Sequence, residues 1–428
     1  MEHQLLHIAD CEREVRIQLA YAEAAPAIEA AYEHAQQDLT IEGFRKGKAP
    51  IELIKQRYGA KIEADALESL GQRLVRELAR QQQWALLSDP QLINIQRSPE
   101  SIGFTFRYYT LPELQIDLAG IKLQKPVVEV TDEDVESQLE RLRLRYGTVQ
   151  ETAEQVTDYY HEVTLHFQPT DPMTGTPLLG EQSEEITFAL YDPEIPLELR
   201  ERLLNTRVGD SFLHTFSGTD FGQPEQPAQA YQITVHAIRR ILPAELTPEF
   251  VHQISGGQLH DVESLRQFLR KELQQQHERD ARSILRSQLE LELARRYPFT
   301  PPKPVVQSIA RDLIQSLQRG ELHVPAEYLR EGEAGIYRFL AELAELQARL
   351  SVLELLLLRQ YQVQLAPEEL NALAQSLNMA ETDLRKQLQE DPDLEYDLRR
   401  RKLWQLLLQN TDVEPVPYAD YVRQHPHA

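Results

Sequence analysis

The sequence predicts a multidomain α+β protein with an N-terminal α+β domain, a small β-rich domain and an all-helical C-terminal domain with arms. Three observations carry that expectation. The 428 residues exceed the ~100–200 of a typical single domain. Apolar residues recur at both strand and helix spacing up to about residue 112, and short β-like runs fill 151–243. Beyond 244 the spacing is helical almost throughout.

In the first segment, EREVRIQLA (12–20) alternates Val15, Ile17 and Leu19 with polar residues, the pattern of a half-buried strand. An alanine-rich stretch, 22–38, follows as helix, with Pro26 expected in its first turn. After a loop, Pro50 suits the first position of a helix over 51–58, where Ile51, Ile54 and Tyr58 share a face. A longer helix fits 60–83, with Ala66, Leu70, Leu74 and Leu78 on one stripe. QLINIQ (91–96) and GFTFRYYT (103–110) read as strands, which closes a domain over 1–112. Residues 113–150 read as a connector. Its helix has Thr131 as N-cap, acids in the first turn and arginines in the last, as the helix dipole prefers. The β-rich domain, 151–243, contains HEVTLHF, EITFAL, FLHTF and YQITVHAI, interrupted by the helical PLELRERLL. In 244–428, Leu265, Phe268, Leu269 and Leu273 share a stripe, as do Leu285, Leu289 and Leu293. Leu343, Leu346, Leu350, Leu353 and Leu357 step by three and four, the spacing of a helix–helix seam. YPFTPPKP (297–304) and VQLAPEEL (363–370) divide these helices, and the stretch after Pro415 reads as a polar tail.

Composition narrows the function. A formal net charge of −23 disfavours chain-wide binding to nucleic acid or anionic membrane, so any polyanion-binding surface is local. The single cysteine, Cys11, rules out an internal disulfide and a cysteine-based zinc site. The start MEHQLLHIADCERE lacks the basic and apolar regions of a secretory signal. The most apolar run, LSVLELLLLRQY (350–361), carries Glu354 and Arg359 and is shorter than the ~20 residues that span a bilayer. The expectation is a cytoplasmic protein with no membrane partner.

One local exception stands out. Residues 43–57, GFRKGKAPIELIKQR, hold five cations (Arg45, Lys46, Lys48, Lys55, Arg57) against the single acid Glu52. A phosphate loop needs four residues between its glycines and a hydroxyl after the lysine. Here three separate Gly43 from Gly47, and Ala49 follows Lys48, so no nucleotide cofactor is expected. The glycines allow tight turns that push the tip outward, and a protruding Phe44 beside Arg45 suits docking on a phosphate- or carboxylate-bearing partner. The opposing reading is a solvated basic turn with Phe44 tucked back into its own core.

GFRKGKAP, just before a helix in an N-terminal α+β domain, resembles the G-F-R-x-G-K-x-P signature of the bacterial trigger factor family, ribosome-associated chaperones that meet nascent chains at the tunnel exit. The order of domains is similar along essentially the whole chain, and LTPEFVHQISGGQLHDVESLRQFLRKEL (246–273) resembles the family's entrance to its C-terminal domain. The resemblance implies that 1–112 is a ribosome-binding domain. In it Gly43, Phe44, Arg45, Lys46, Gly47, Lys48 and Pro50 would contact the large subunit near the tunnel exit, both protein and rRNA. It implies an FKBP-like peptidyl-prolyl isomerase domain over 151–243, with Phe167, Phe188, Ile195, Phe221 and Tyr231 lining the pocket. It implies, too, that 244–428 is the chaperone domain binding nascent and unfolded polypeptides, with Ile336, Phe339, Leu340 and Leu343 among the client-facing residues, and that free protein forms a homodimer. No ATP, other cofactor or metal is expected.

The isomerase motif departs from the family. Ile195-Pro196 and Val208-Gly209-Asp210 match it, but Ile-Pro-Gly-Phe-Glu is here Ile195-Pro196-Leu197-Glu198-Leu199. TDPMTGTPLLGE (170–181) lacks the usual aromatic–acid pair. Two readings stay open: a working pocket, or a decayed one in a binding-only chaperone. A third possibility is an RNA-binding module that uses 43–57. The apolar stripes of the helical domain read equally as core, and the HPH of 425–427 as a solvated tail.

Overall fold

The computed structural model describes residues 2–42, 44–150, 153–171, 176–178, 182–216 and 229–425. In chain order the elements are β1 (Glu2–His7), β2 (Glu12–Ala20), α1 (Tyr21–Asp38), α2 (Ile51–Gln81), β3 (Gln91–Arg97), β4 (Ser101–Tyr109), β5 (Lys122–Val127), α3 (Asp132–Arg145) and β6 (Thr148–Val149). Then come β7 (His161–Thr170), β8 (Glu184–Ala189), α4 (Leu197–Leu203), β9 (Ser211–Phe216), β10 (Gln229–Leu242), α5 (Pro248–Ile254), α6 (Val262–Arg296) and α7 (Lys303–Gln318). The last are α8 (Ala326–Leu329), α9 (Glu333–Gln360), α10 (Pro367–Ser376), α11 (Glu381–Glu390), α12 (Pro392–Gln409), β11 (Asp412–Pro417) and α13 (Tyr418–Gln424). The multidomain α+β class is as the sequence predicts. The chain divides into two compact units, one of 1–119, 290–312 and 342–410, the other of 120–289, 313–341 and 411–428.

The first unit contains the antiparallel sheet β1-β2-β4-β3. Alternation along Val15–Ala20 of β2 and along β4 puts Val15, Ile17, Leu19, Ile102, Phe104 and Phe106 into one core with Ile28, Tyr32, Ile54, Leu67, Leu70, Val75 and Leu78 of α1 and α2. Three local expectations are corrected here. The two helices expected over 51–58 and 60–83 are one, α2, because Gly59 lies inside it as a notch: a Cβ there would stand 3.0 Å from the Tyr32 hydroxyl. Pro26 sits in the second turn of α1 rather than the first, where its ring displaces the bond that the Ala22 carbonyl would accept. Pro50 caps α2 instead of opening it, its carbonyl accepting from the N–H groups of Leu53 and Ile54. In the same unit α10, α11 and α12 pack around Leu370, Ala374, Leu384 and Leu388.

In the second unit β6-β10-β7-β8, with β9 on β10, form an antiparallel sheet around Val163, Leu165, Ile233, Val235 and Leu199. Thr131 caps α3 as expected, in a reciprocal pair with Asp134 whose hydrogen bonds from Thr131 hold that carboxyl below its ordinary range. Val135 and Leu139 of α3 pack on Val251, Leu265 and Leu269. Phe268 lies off that stripe and is exposed. The stretch expected as a polar tail after Pro415 is structured up to His425: β11 pairs in parallel with β5, and Tyr421 of α13 is buried, while Pro426 and His427 of the HPH lie outside the described residues. Its sequence hid this because alternating prolines and acids break both periodicities.

Candidate functional site

The basic loop lies between α1 and α2. Its two ends are anchored: Ile41 and Ala49 are each 3% exposed in the core of the sheet and helices. Between them, Glu42, Phe44, Arg45, Lys46 and Lys48 face solvent. Phe44 is 42% exposed, so the reading that tucks it into its own core is not what the chain adopts. The Phe44 N–H donates to the Ile41 carbonyl at 3.0 Å and the Lys48 N–H to that of Arg45 at 2.9 Å. Gly47 occupies the third position of that second turn at φ +80°, a conformation open to glycine at little cost. Gly43 lies outside the described residues.

Electrostatically the loop differs from the rest of the surface. Among the described residues several Arg and Lys side chains elsewhere are ion-paired, as in Lys125–Glu278, Arg266–Glu136 and Arg319–Glu321, though others such as Lys61, Arg73 and Lys271 are not. Arg45, Lys46, Lys48 and Arg57 have no ion-pair partner among the described residues. Lys55 instead stands 5.2 Å from the centre of the Tyr32 ring. The Tyr32 hydroxyl donates to Glu63 at 2.7 Å, and Arg97 pairs with the other oxygen of Glu63 at 3.2 Å. Burial and that carboxylate push the Tyr32 phenol up to about 12. Just before the loop, the Gln36 amide donates to the Ala49 carbonyl at 2.6 Å. Neither Tyr32 nor Gln36 was found by sequence reasoning, since a polar residue on a helix carries no period that marks it.

The second candidate is the aromatic cluster of the β-rich domain. Phe167 is buried, with Phe188 5.9 Å away edge-on, Tyr231 at 5.9 Å edge-on and Phe216 at 6.2 Å. Ile195 is buried in the same core. Phe221 lies outside the described residues, as do 172–175 and 179–181 of the 170–181 stretch. Sequence reasoning missed Phe216 and the buried His214, whose ring lies 4.5 Å from it. The alternation in FLHTF was the available signal, since it turns both to the inner face. At the departure from the family motif, Leu197 is 55% exposed and opens α4 with Glu198 beside it, so neither side chain fills the cluster. The buried face of α4 is supplied by Leu199 and Leu203.

The proposed client-facing residues differ among themselves. Leu340 is 4% exposed and faces inward, while Ile336, Phe339 and Leu343 are half-buried; Phe339 stands 5.2 Å from the Tyr328 ring. The exposed aromatic of that stretch is Tyr337, which the apolar pattern did not select. Among the described residues no cluster of His, Cys, Asp and Glu suits a metal ion, and no helix is long and apolar enough to cross a membrane.

Residues 1–142 match the family model described as bacterial trigger factor protein. Curated relatives include the trigger factors of Salinibacter ruber, 26% identical over 343 residues (75% of this chain, 74% of that one), and Prosthecochloris aestuarii, 24% identical over 321 residues (74% of each). A solved structure of the trigger factor chaperone, reported for promiscuous substrate recognition in folding and assembly, is similar in fold. Its TM-score is 0.51 at 18% identity, covering 96% of this chain and 100% of that one. The class so defined is that of ribosome-associated molecular chaperones. Within it, the chain is similar to bacterial trigger factors over about three quarters of its length.

Proposed function

We propose that this chaperone docks on the large ribosomal subunit near the tunnel exit through Phe44–Pro50 and shields apolar segments of emerging chains without ATP, in the cytoplasm. The observation that carries the docking surface is a loop with both ends anchored in the core, an exposed phenylalanine and cations left unpaired. A local basic tip can hold a polyanion despite the acidic total because the Debye length is only about 8 Å at physiological salt. The test is co-sedimentation with ribosomes. Phe44→Ala, Arg45→Ala and Lys46→Ala combined should abolish pelleting, and added salt should weaken the wild-type contact. Undiminished pelleting of the triple variant overturns the assignment.

The β-rich domain supports a peptidyl-prolyl isomerase reading. Such a site needs no proton transfer, since an X–Pro bond is held by amide resonance against a barrier of about 20 kcal/mol. A dry aromatic pocket around Phe167, Phe188 and Tyr231 would favour the twisted, less polar transition state over the planar amide. The exposed Leu197-Glu198 favours a second reading, a binding module with little turnover. Refolding of a proline-limited, reduced reporter separates them. Acceleration at substoichiometric chaperone means a working pocket; an unchanged rate means a chaperone alone.

A further inference from the structure

The docking assignment names the tip of the loop and leaves open what holds that tip in one conformation. A seven-residue excursion between two buried anchors has conformational freedom to lose on binding, and affinity falls by whatever ordering is left until then. The structure shows one side chain that spans the loop's base. Gln36, half-buried in the last turns of α1, donates its amide N–H to the carbonyl of Ala49 at 2.6 Å. This bond ties the residue just before the cap of α2 to the helix that leads into the loop. One turn earlier, Tyr32 braces α1 against α2 through Glu63, with the Gly59 notch leaving room for its hydroxyl.

We infer that Gln36 is a positioning residue for ribosome docking: its amide fixes the return arm of the loop at Ala49, so that Phe44, Arg45 and Lys46 are presented preorganised. The inference rests on the docking assignment above. Gln36 itself carries no charge, and the loop keeps all its cations when it is changed. Removing it therefore lowers affinity without changing the number of phosphates neutralised, whereas removing a cation lowers both.

The experiment is ribosome binding by the full chain across a salt series at neutral pH, each variant compared with wild type. Gln36→Met keeps the shape and loses the donor. It should weaken binding about two- to tenfold, the range of one hydrogen bond, with the slope of log affinity against log salt unchanged. Arg45→Ala should flatten that slope by about 0.7–0.9 if it neutralises one phosphate. Gln36→Glu is isosteric and, ionised at neutral pH, cannot donate to the Ala49 carbonyl, so its defect should be at least as large as that of Gln36→Met, again with the salt slope unchanged. Thermal unfolding of each variant controls for loss of fold. If the Phe44, Arg45 and Lys46 triple variant still binds, the docking assignment fails. If the triple variant loses binding but Gln36→Met or Gln36→Glu matches wild type, or Gln36→Met changes the salt slope, the role of Gln36 is overturned.

Discussion

Gly47 shows how little a single atom must do to matter. No heavy atom lies within 4 Å of the Cβ that an alanine would add, so Gly47→Ala meets no clash. Its φ of +80° nevertheless costs a side chain about 1 kcal/mol. An alanine lets the solvent-facing tip relax out of that φ without disturbing the core, so the cost falls on binding: about a fivefold rise in the ribosome Kd with the melting temperature unchanged, checked by sedimentation and calorimetry. Tyr32 gives a pH prediction. Its phenol is raised from 10 to about 12, first by burial and then by Glu63, so the folded chain keeps a proton that the unfolded chain loses. Its stabilising contribution is complete below pH 10 and disappears as pH rises towards 12. Denaturant melts should show stability falling across that interval, and less steeply in Tyr32→Phe. The docking tip was legible in the sequence because composition and glycine spacing set it apart from an acidic chain. Gln36 and Tyr32 were not, because their roles depend on what α2 brings opposite them.

At the scale of elements, two features invert what periodicity implies. Glu354 looked like a flaw in an apolar run, yet it is buried and accepts from the Tyr396 hydroxyl at 2.6 Å, Arg400 at 2.8 Å and Trp404 Nε1 at 3.0 Å. It joins α9 to α12, and burial, with that carboxylate, drives the Tyr396 phenol well above its usual range. Glu354→Ala strands those donors and should cost about 3 kcal/mol, measurable as a shift in urea midpoint. Gly71 is the second. On a helix an alanine normally stabilises by about 1 kcal/mol, but here its Cβ would come within 2.8 Å of Phe104 and 3.0 Å of Phe106. Overpacking of this kind costs about 1–3 kcal/mol, so Gly71→Ala should lower the melting temperature even though it favours helix. Strands β2 and β4 and helix α3 were legible from alternation and from Thr131. The fusion of two expected helices into α2 was not, since a glycine in a helical pattern reads as a break until the residue filling its notch is known.

Across the whole molecule, each compact unit is assembled from three separate stretches of chain. Stretches of strand and helix could be read from texture, but the return of late segments to early ones could not, because no local period records a partner hundreds of residues away. The parallel pairing of β5 with β11 is the clearest case. Removing residues 411–428 should leave Lys122–Val127 without its partner strand and speed amide exchange there, while exchange in β2 and β4 stays as it was. This pairing bears on the making of the protein. During synthesis Lys122–Val127 leaves the ribosome long before Asp412–Pro417 is made, so the second unit cannot close until that late strand emerges. Until then the growing chain carries an unmatched strand, the kind of exposed edge that invites mispairing and that chaperones shield.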